Sequence, residues 1–204
     1  MAIVINGSGT VTGISVGGLP DGIVDAGTLA TNSVDSAELI DGSIDTAHIA
    51  ADQITGAILP AGSVLQVVRM TTTTATNSTS SSFVDITDLD IQITPSATSS
   101  KVLVMASVKG VDPDAGAGNG LTGVSIQLLD SDGSTAMDYD ENHGYQIGDD
   151  GSLNSVSFLT GLSSPSSTSE LTYKVQGRNR QVVAWSINGS TNTQSSIVAM
   201  EIAG

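Results

Sequence analysis

The sequence predicts a mostly β chain in three parts. A short N-terminal β segment occupies residues 1–22, a shaft of intertwined identical chains residues 23–64, and an antiparallel β-sandwich residues 65–204. Three observations carry this expectation. From Ile23 to Val64 the chain repeats every ten residues. Beyond it, short alternating segments follow one another between turn signals. No stretch sustains a helical period.

The first part alternates as two short strands, Ala2-Ile3-Val4-Ile5 and Thr10-Val11-Thr12, with the turn signal Asn6-Gly7-Ser8-Gly9 between them. Gly17-Gly18-Leu19-Pro20-Asp21-Gly22 then breaks the pattern. So small a β cap has too little core to stand alone. Either it docks or pairs with its own copies, or it is a frayed terminus.

In the repeats, one column holds Val24, Val34, Ile44, Ile54 and Val64, and a second holds Leu29, Leu39, Ile49 and Leu59. A third runs Asp25, Asp35, Asp45, Thr55, and a fourth holds the small residues Gly27, Ala37, Ala47 and Ala57. A fixed period sets architecture. With about two aliphatic side chains per ten residues, a unit cannot bury a core by itself and must stack on copies. The five-residue step between the aliphatic columns fits neither helix nor strand. Short extended steps fit better, each followed by one capped turn, as at Asp35-Ser36-Ala37-Glu38-Leu39 and Asp45-Thr46-Ala47-His48-Ile49. The expected shaft core is Val24, Leu29, Val34, Leu39, Ile44, Ile49, Ile54 and Leu59, most simply in three chains. The competing reading is an acidic disordered linker, but such a segment does not need aliphatics in fixed columns.

Next comes the strand segment Val64–Met70, then a Thr/Ser-rich loop or edge segment from Thr71 to Ser82. Phe83–Ile93, Lys101–Val108, Leu121–Leu129, Ser155–Leu159, Leu171–Gly177, Val182–Ile187 and Ile197–Ile202 read as further strands. Turn signals stand at Asp112-Pro113-Asp114, Asp132-Gly133, Asp150-Gly151, Ser164-Pro165 and Asn188-Gly189. Such a series predicts an all-β sandwich or barrel, and the length is ample for one jelly roll.

Composition narrows the function. The formal charge is −15, with only six Lys and Arg, so nucleic acid is not an expected partner. Nor is a polybasic membrane contact expected. No stretch approaches the length of a membrane span. The absence of cysteine excludes disulfides and thiolate metal sites. The N-terminus does not read as a secretory signal, so the expected route outside the cell is assembly into a particle released by lysis.

The (V/I)-D-x-x-x-(L/I) decapeptide behind a short β N-terminus resembles tail-fibre proteins of tailed bacteriophages, especially of marine and cyanobacterial hosts. The opening NGSGTVTGISVGGLPDG is similar to the virion-proximal start of such fibres. GSVLQVV, TTTT, FVDIT, ITPSATSSKVLVMASV and the ending SSIVAMEI are similar to their C-terminal jelly-roll head. The resemblance spans nearly the whole chain. It implies a homotrimer with a virion-attachment end at residues 1–22, a shaft and a jelly-roll head that attaches to a host-surface glycan or protein. Other virion proteins would be partners through the N-terminus, and the location would be the virion. Related heads also occur on capsid fibres and decoration proteins. A small polysaccharide-cleaving tailspike is the enzymatic alternative.

Catalytic and metal patterns are weak, and no enzyme and no cofactor are expected. His48 and His143 are 95 residues apart, and no G-x-S-x-G elbow is present. Depolymerising tailspikes usually need a longer β-helix with a carboxylate pair. Asp130 to Glu141 has the length of a calcium loop, but glycine falls at the fourth place and Thr135 at the sixth. Asp132-Gly133 therefore reads as a hairpin turn, with calcium elsewhere on the acidic loops left open. The receptor-binding candidates are Tyr139, Asn142, His143, Tyr145 and Gln146, expected on a loop from Met137 to Ile147. Amphipathic rings among polar groups suit a glycan or a surface protein. The competing reading is an ordinary loop with its Tyr rings packed on the sandwich. Trp185 is expected in the core or a trimer interface rather than as a ligand platform.

Overall fold

The computed structural model describes residues 4–5, 11–12, 39, 44–45, 47–50, 53–56, 58–113, 121–147, 155–179, 184–189 and 192–204. At strand residues 4, 5, 11, 12, 121, 122, 142 and 144–147 it describes the backbone alone. The chain divides into two compact units, Met1–Ile54 and Thr55–Gly204.

In the first unit, β1 (Val4–Ile5) and β2 (Val11–Thr12) pair antiparallel, as their alternation predicts. Of the aliphatic columns, Val24, Leu29 and Val34 lie outside the described residues, as does the expected Asp35 turn. Leu39, Ile44, Ile49 and Ile54 are 44%, 48%, 37% and 51% exposed in the single chain. Asp45 makes the expected turn. Its carbonyl accepts the His48 amide at 3.1 Å, and its carboxylate accepts the Ala47 amide at 2.8 Å. That amide, then the His48 ring 2.8 Å away, holds the exposed Asp45 carboxyl below the usual aspartate range.

The second unit opens with the same turn ten residues on, the Ile58 amide donating to the Thr55 carbonyl at 2.9 Å. Leu59 is half-buried here. Just before β3 the chain is tied to the C-terminus. Gly62 N–H donates to the Ala203 carbonyl at 2.7 Å, and Ala203 N–H donates to the Ser63 carbonyl at 2.8 Å.

Its strands are β3 (Val64–Thr72), β4 (Thr76–Ser78), β5 (Val84–Ile93), β6 (Lys101–Pro113), β7 (Leu121–Leu129), β8 (Ala136–Ile147), β9 (Ser155–Ser163), β10 (Leu171–Asn179), β11 (Trp185–Ile187) and β12 (Ser195–Ile202). All pairings are antiparallel, and the described residues contain no helix. One sheet runs β3-β12-β6-β11-β4, with β9 also on β6; the other runs β5-β10-β7-β8. On one edge of β6, β12 faces residues 101–107 and β11 faces residues 112–113, while β9 lines the other edge. The first sheet is thus four columns wide: β3 with β4, β12 with β11, β6, then β9.

Strand alternation turns one face of each sheet to a shared core. Val102, Val104, Ala106 and Val108 from β6 meet Val124, Ile126 and Leu128 from β7, with Leu89, Tyr173, Val175, Trp185, Ile197 and Ala199 around them. Burying each large aliphatic contributes about 1.5–3 kcal/mol. Trp185 is 1% exposed, so it lies in the core. Glu201 also points inward on β12 and is 1% exposed. One oxygen accepts Ser96 N–H, Ser96 Oγ–H and Ser100 Oγ–H, and the other accepts from Gln66 Nε2, all at 2.7 Å. Burial alone would raise its pKa, but these hydrogen bonds outweigh burial and hold the carboxyl below the usual glutamate range.

Three expectations need correcting. The Met137–Ile147 loop is most of strand β8. Its polar sequence hides the strand because the pairing with β7 shifts register three times, so no even alternation survives. Asp112 and Pro113 do not turn but end β6, where Pro113 is buried opposite Trp185. A proline is tolerated at such a strand end. The alternation of Phe83–Ile93 breaks at Asp88, whose φ is 56°. The buried set therefore passes from Ile86 to Leu89, Ile91 and Ile93, and Asp88 is exposed. Gly110 does the same in β6 at φ 64°, moving burial from Val108 to Val111.

Candidate functional site

The β7–β8 hairpin is built at Asp132-Gly133, as the sequence predicts. Gly133 takes φ 70°, and the Asp130 amide donates to the Thr135 carbonyl at 2.8 Å. The Asp132 carboxylate accepts Thr135 Oγ1–H at 2.5 Å, Thr135 N–H at 2.7 Å and Ser134 N–H at 2.8 Å. The Thr135 hydroxyl foremost, then the two amides, pulls its pKa down to about 2. This carboxylate is occupied by its own turn. Among the described residues no group of three or more His, Asp or Glu is arranged to hold a metal ion.

Residues directly opposite on neighbouring strands share a face. Asp85, Gln176, Gln127 and Tyr139 are opposite one another across β5, β10, β7 and β8. They form one row on the outward face of that sheet. Lys174 Nζ donates to Asp85 Oδ2 at 2.8 Å, Gln176 Nε2 to Asp85 Oδ1 at 2.7 Å, and Gln127 Nε2 to Gln176 Oε1 at 2.8 Å. The Lys174 hydrogen bond first, then that of Gln176, lowers the Asp85 pKa, and the same contact raises that of Lys174.

Beside this row, Arg178 lies over the Phe83 ring, with its guanidinium carbon 4.5 Å from the centroid. Arg178 donates to the Tyr139 hydroxyl at 3.1 Å. The Phe83 and Tyr139 rings meet edge to face at 5.9 Å and 74°. Two aromatics and a guanidinium fix one another, since cation–π and edge contacts each favour one geometry. Arg178 fills one lone pair of the Tyr139 oxygen and leaves its O–H to donate outward. Tyr139 is 38% exposed.

His143 lies elsewhere. It is opposite the buried Val124, while Asp140 is opposite the buried Ile126. His143 Nδ1 is 2.7 Å from Asp140 Oδ2, which also accepts Ser157 Oγ–H from β9 at 2.7 Å. Asp138 Oδ2 accepts the Thr160 amide of β9 at 2.8 Å. Asp138, Asp140 and His143 thus seal the β8–β9 edge between the sheets, and Tyr139 faces out. For Asn142, Tyr145 and Gln146 the backbone lies in β8, with Gln146 opposite Thr122, and the side chains lie outside the described residues. Tyr139 and His143, four residues apart, would share a face in a regular strand; the register shift between Asp140 and His143 sets them on different faces.

The sequence reading missed Phe83, Arg178, Gln127, Gln176, Asp85 and Lys174. The alternation Lys174, Gln176, Arg178 against Tyr173, Val175, Gly177 was the available signal for an outward polar face. Compared with known proteins, the chain matches no family model and none of the curated proteins.

Proposed function

We propose that the chain is a homotrimeric structural fibre of a bacteriophage virion, with a repeat shaft and a jelly-roll head that attaches to a host-surface glycan. The order of the eight strand columns supports the jelly roll: counted along the chain, one sheet runs first, eighth, third, sixth and the other second, seventh, fourth, fifth. The aliphatics Leu39, Ile44, Ile49 and Ile54, exposed in one chain and spaced by the decapeptide, support a shaft of several copies. The N-terminal segment serves virion attachment in this reading, and the chain acts by binding rather than by catalysis.

The observation that carries attachment is the Tyr139–Arg178–Phe83 cluster with Gln127 and Gln176 beside it. Rings offer apolar faces to sugar carbons, and fixed polar groups read hydroxyls. One such shallow site is weak, but three on a fibre raise avidity. The test is binding of the purified full chain to an array of bacterial surface polysaccharides. The wild type should bind a defined set, and Tyr139→Ala should lose it, while Gln92→Ala on the same sheet keeps it. Equal binding by Tyr139→Ala would remove this site. Release of reducing ends from a bound polysaccharide would instead favour the cleaving spike, and particle imaging with labelled antibody separates a tail from a capsid position.

A further inference from the structure

The outward face of the β3-β12-β6-β9 sheet carries a row of apolar residues. Val67, Met200, Leu103 and Leu162 are opposite one another in one row across its four columns. Phe158 and Val156 follow along β9, with Phe158 74% exposed, and Leu162 and Val67 are 57% and 58% exposed. A contiguous patch of this kind marks an interaction surface.

Charge selects the occupant. The chain carries 21 Asp and Glu against six Lys and Arg. Yet between the Val64–Ile202 pair and the Lys109–Val156 pair the described outward positions carry no Asp or Glu, and Asp112 at the far end of β6 is the first carboxylate beyond them. Glu201 on β12 points inward, and the charges present are Arg69, Lys101 and Lys109, half of the chain's cations. Copies of a chain at −15 repel one another. They approach at least cost where carboxylates are missing and cations remain. Val64 is also the last member of the Val/Ile repeat column and the first residue of β3, opposite Ile202 on this face. Repeat column and apolar face are continuous along the chain.

We infer that this sheet face is the surface through which the second units of three copies pack around their common axis, an inference that rests on the trimeric reading above. The outward face of the other sheet is then left free for ligand.

The absence of native cysteine makes the test direct. Full-length Phe158→Cys, Leu162→Cys and, on the outward face of the other sheet, Asp90→Cys are prepared and weighed by sedimentation equilibrium. Their far-ultraviolet β signal checks folding, and the rate of maleimide labelling reports cover. All three should sediment as trimers. The thiols at positions 158 and 162 should label about tenfold or more slower than the one at 90, because a covered thiol reacts only from the dissociated fraction. Trimers with equal labelling at all three positions would overturn the face and leave the trimer standing. Monomers with fast labelling would overturn both readings. Monomers with slow labelling at 158 and 162 would show that a segment of the same chain covers the face, and would overturn packing between copies.

Discussion

On the outward face of the β5–β10–β7–β8 sheet, Lys174, Asp85, Gln176 and Gln127 are joined side chain to side chain, and Arg178 is locked between Phe83 and Tyr139. The corresponding face of the β3–β12–β6–β9 sheet offers Val67, Leu162 and Phe158. Both sheets share one core, so core packing does not explain the contrast. A polar face whose groups bond one another keeps its geometry in water and presents few, fixed contacts. An apolar face gains only when covered. The same fold thus carries one surface whose polar groups satisfy one another and another that would gain by being covered.

A change behind both faces tests whether they belong to one cooperative unit. Glu201→Ala removes the acceptor of four donors, of which the Ser100 hydroxyl is buried. Hydrogen bonds to a charged group contribute about 1.5–3 kcal/mol, and a loss of that order is expected. Urea unfolding should show the loss, with Tyr and Trp fluorescence falling together. Two separated transitions would mean that the sheets unfold independently. Acid provides a second view. A glutamate with a depressed folded pKa contributes stability at neutral pH and loses it as pH falls through the folded value. Wild-type stability should decline below the ordinary glutamate range, about pH 4, and Glu201→Gln should flatten that decline. Asp132 adds a smaller loss of the same sign as pH falls from the ordinary aspartate range toward its folded pKa of about 2.

Gly177→Ala comes next. A Cβ there would sit 2.9 Å from the Trp185 ring, and both are fixed by sheet pairing. Overpacking of this kind costs about 1–3 kcal/mol. A lowered urea midpoint is expected, and an unchanged one would show that Trp185 repacks freely.

Smaller effects should fall differently on the two faces. Phe158→Ser removes a side chain that one copy leaves in water, so it should barely alter unfolding of the second unit but weaken association by sedimentation. Lys174→Ala on the polar face breaks a half-exposed ion pair, and solvent screening leaves such pairs little weight in stability. It should leave the sedimentation mass unchanged. If Lys174→Ala dissociates the assembly and Phe158→Ser does not, the roles of the two faces are reversed.

Local chemistry was legible in the sequence. The Asp45 turn, the Asp132-Gly133 hairpin, most strand positions and the burial of Trp185 follow from residues a few places apart. Their causes are short-range: a carboxylate reaching the next amides, a glycine at positive φ, alternation along one strand. Strand β8 was not legible, because its register shifts erase the alternation and its partner β7 supplies the pairing instead. The split of Tyr139 from His143 depends on which β7 residue each one faces.

The sequence by itself determined the decapeptide period, the all-β class and the acidic, cysteine-free character of the chain. Only the tertiary structure decided that Phe83, Tyr139 and Arg178 meet, that Glu201 finds donors about a hundred positions away, and that Val67, Met200, Leu103 and Leu162 form one row. Antiparallel pairing brings together strands far apart in the chain, and its register, not sequence distance, fixes which side chains share a face.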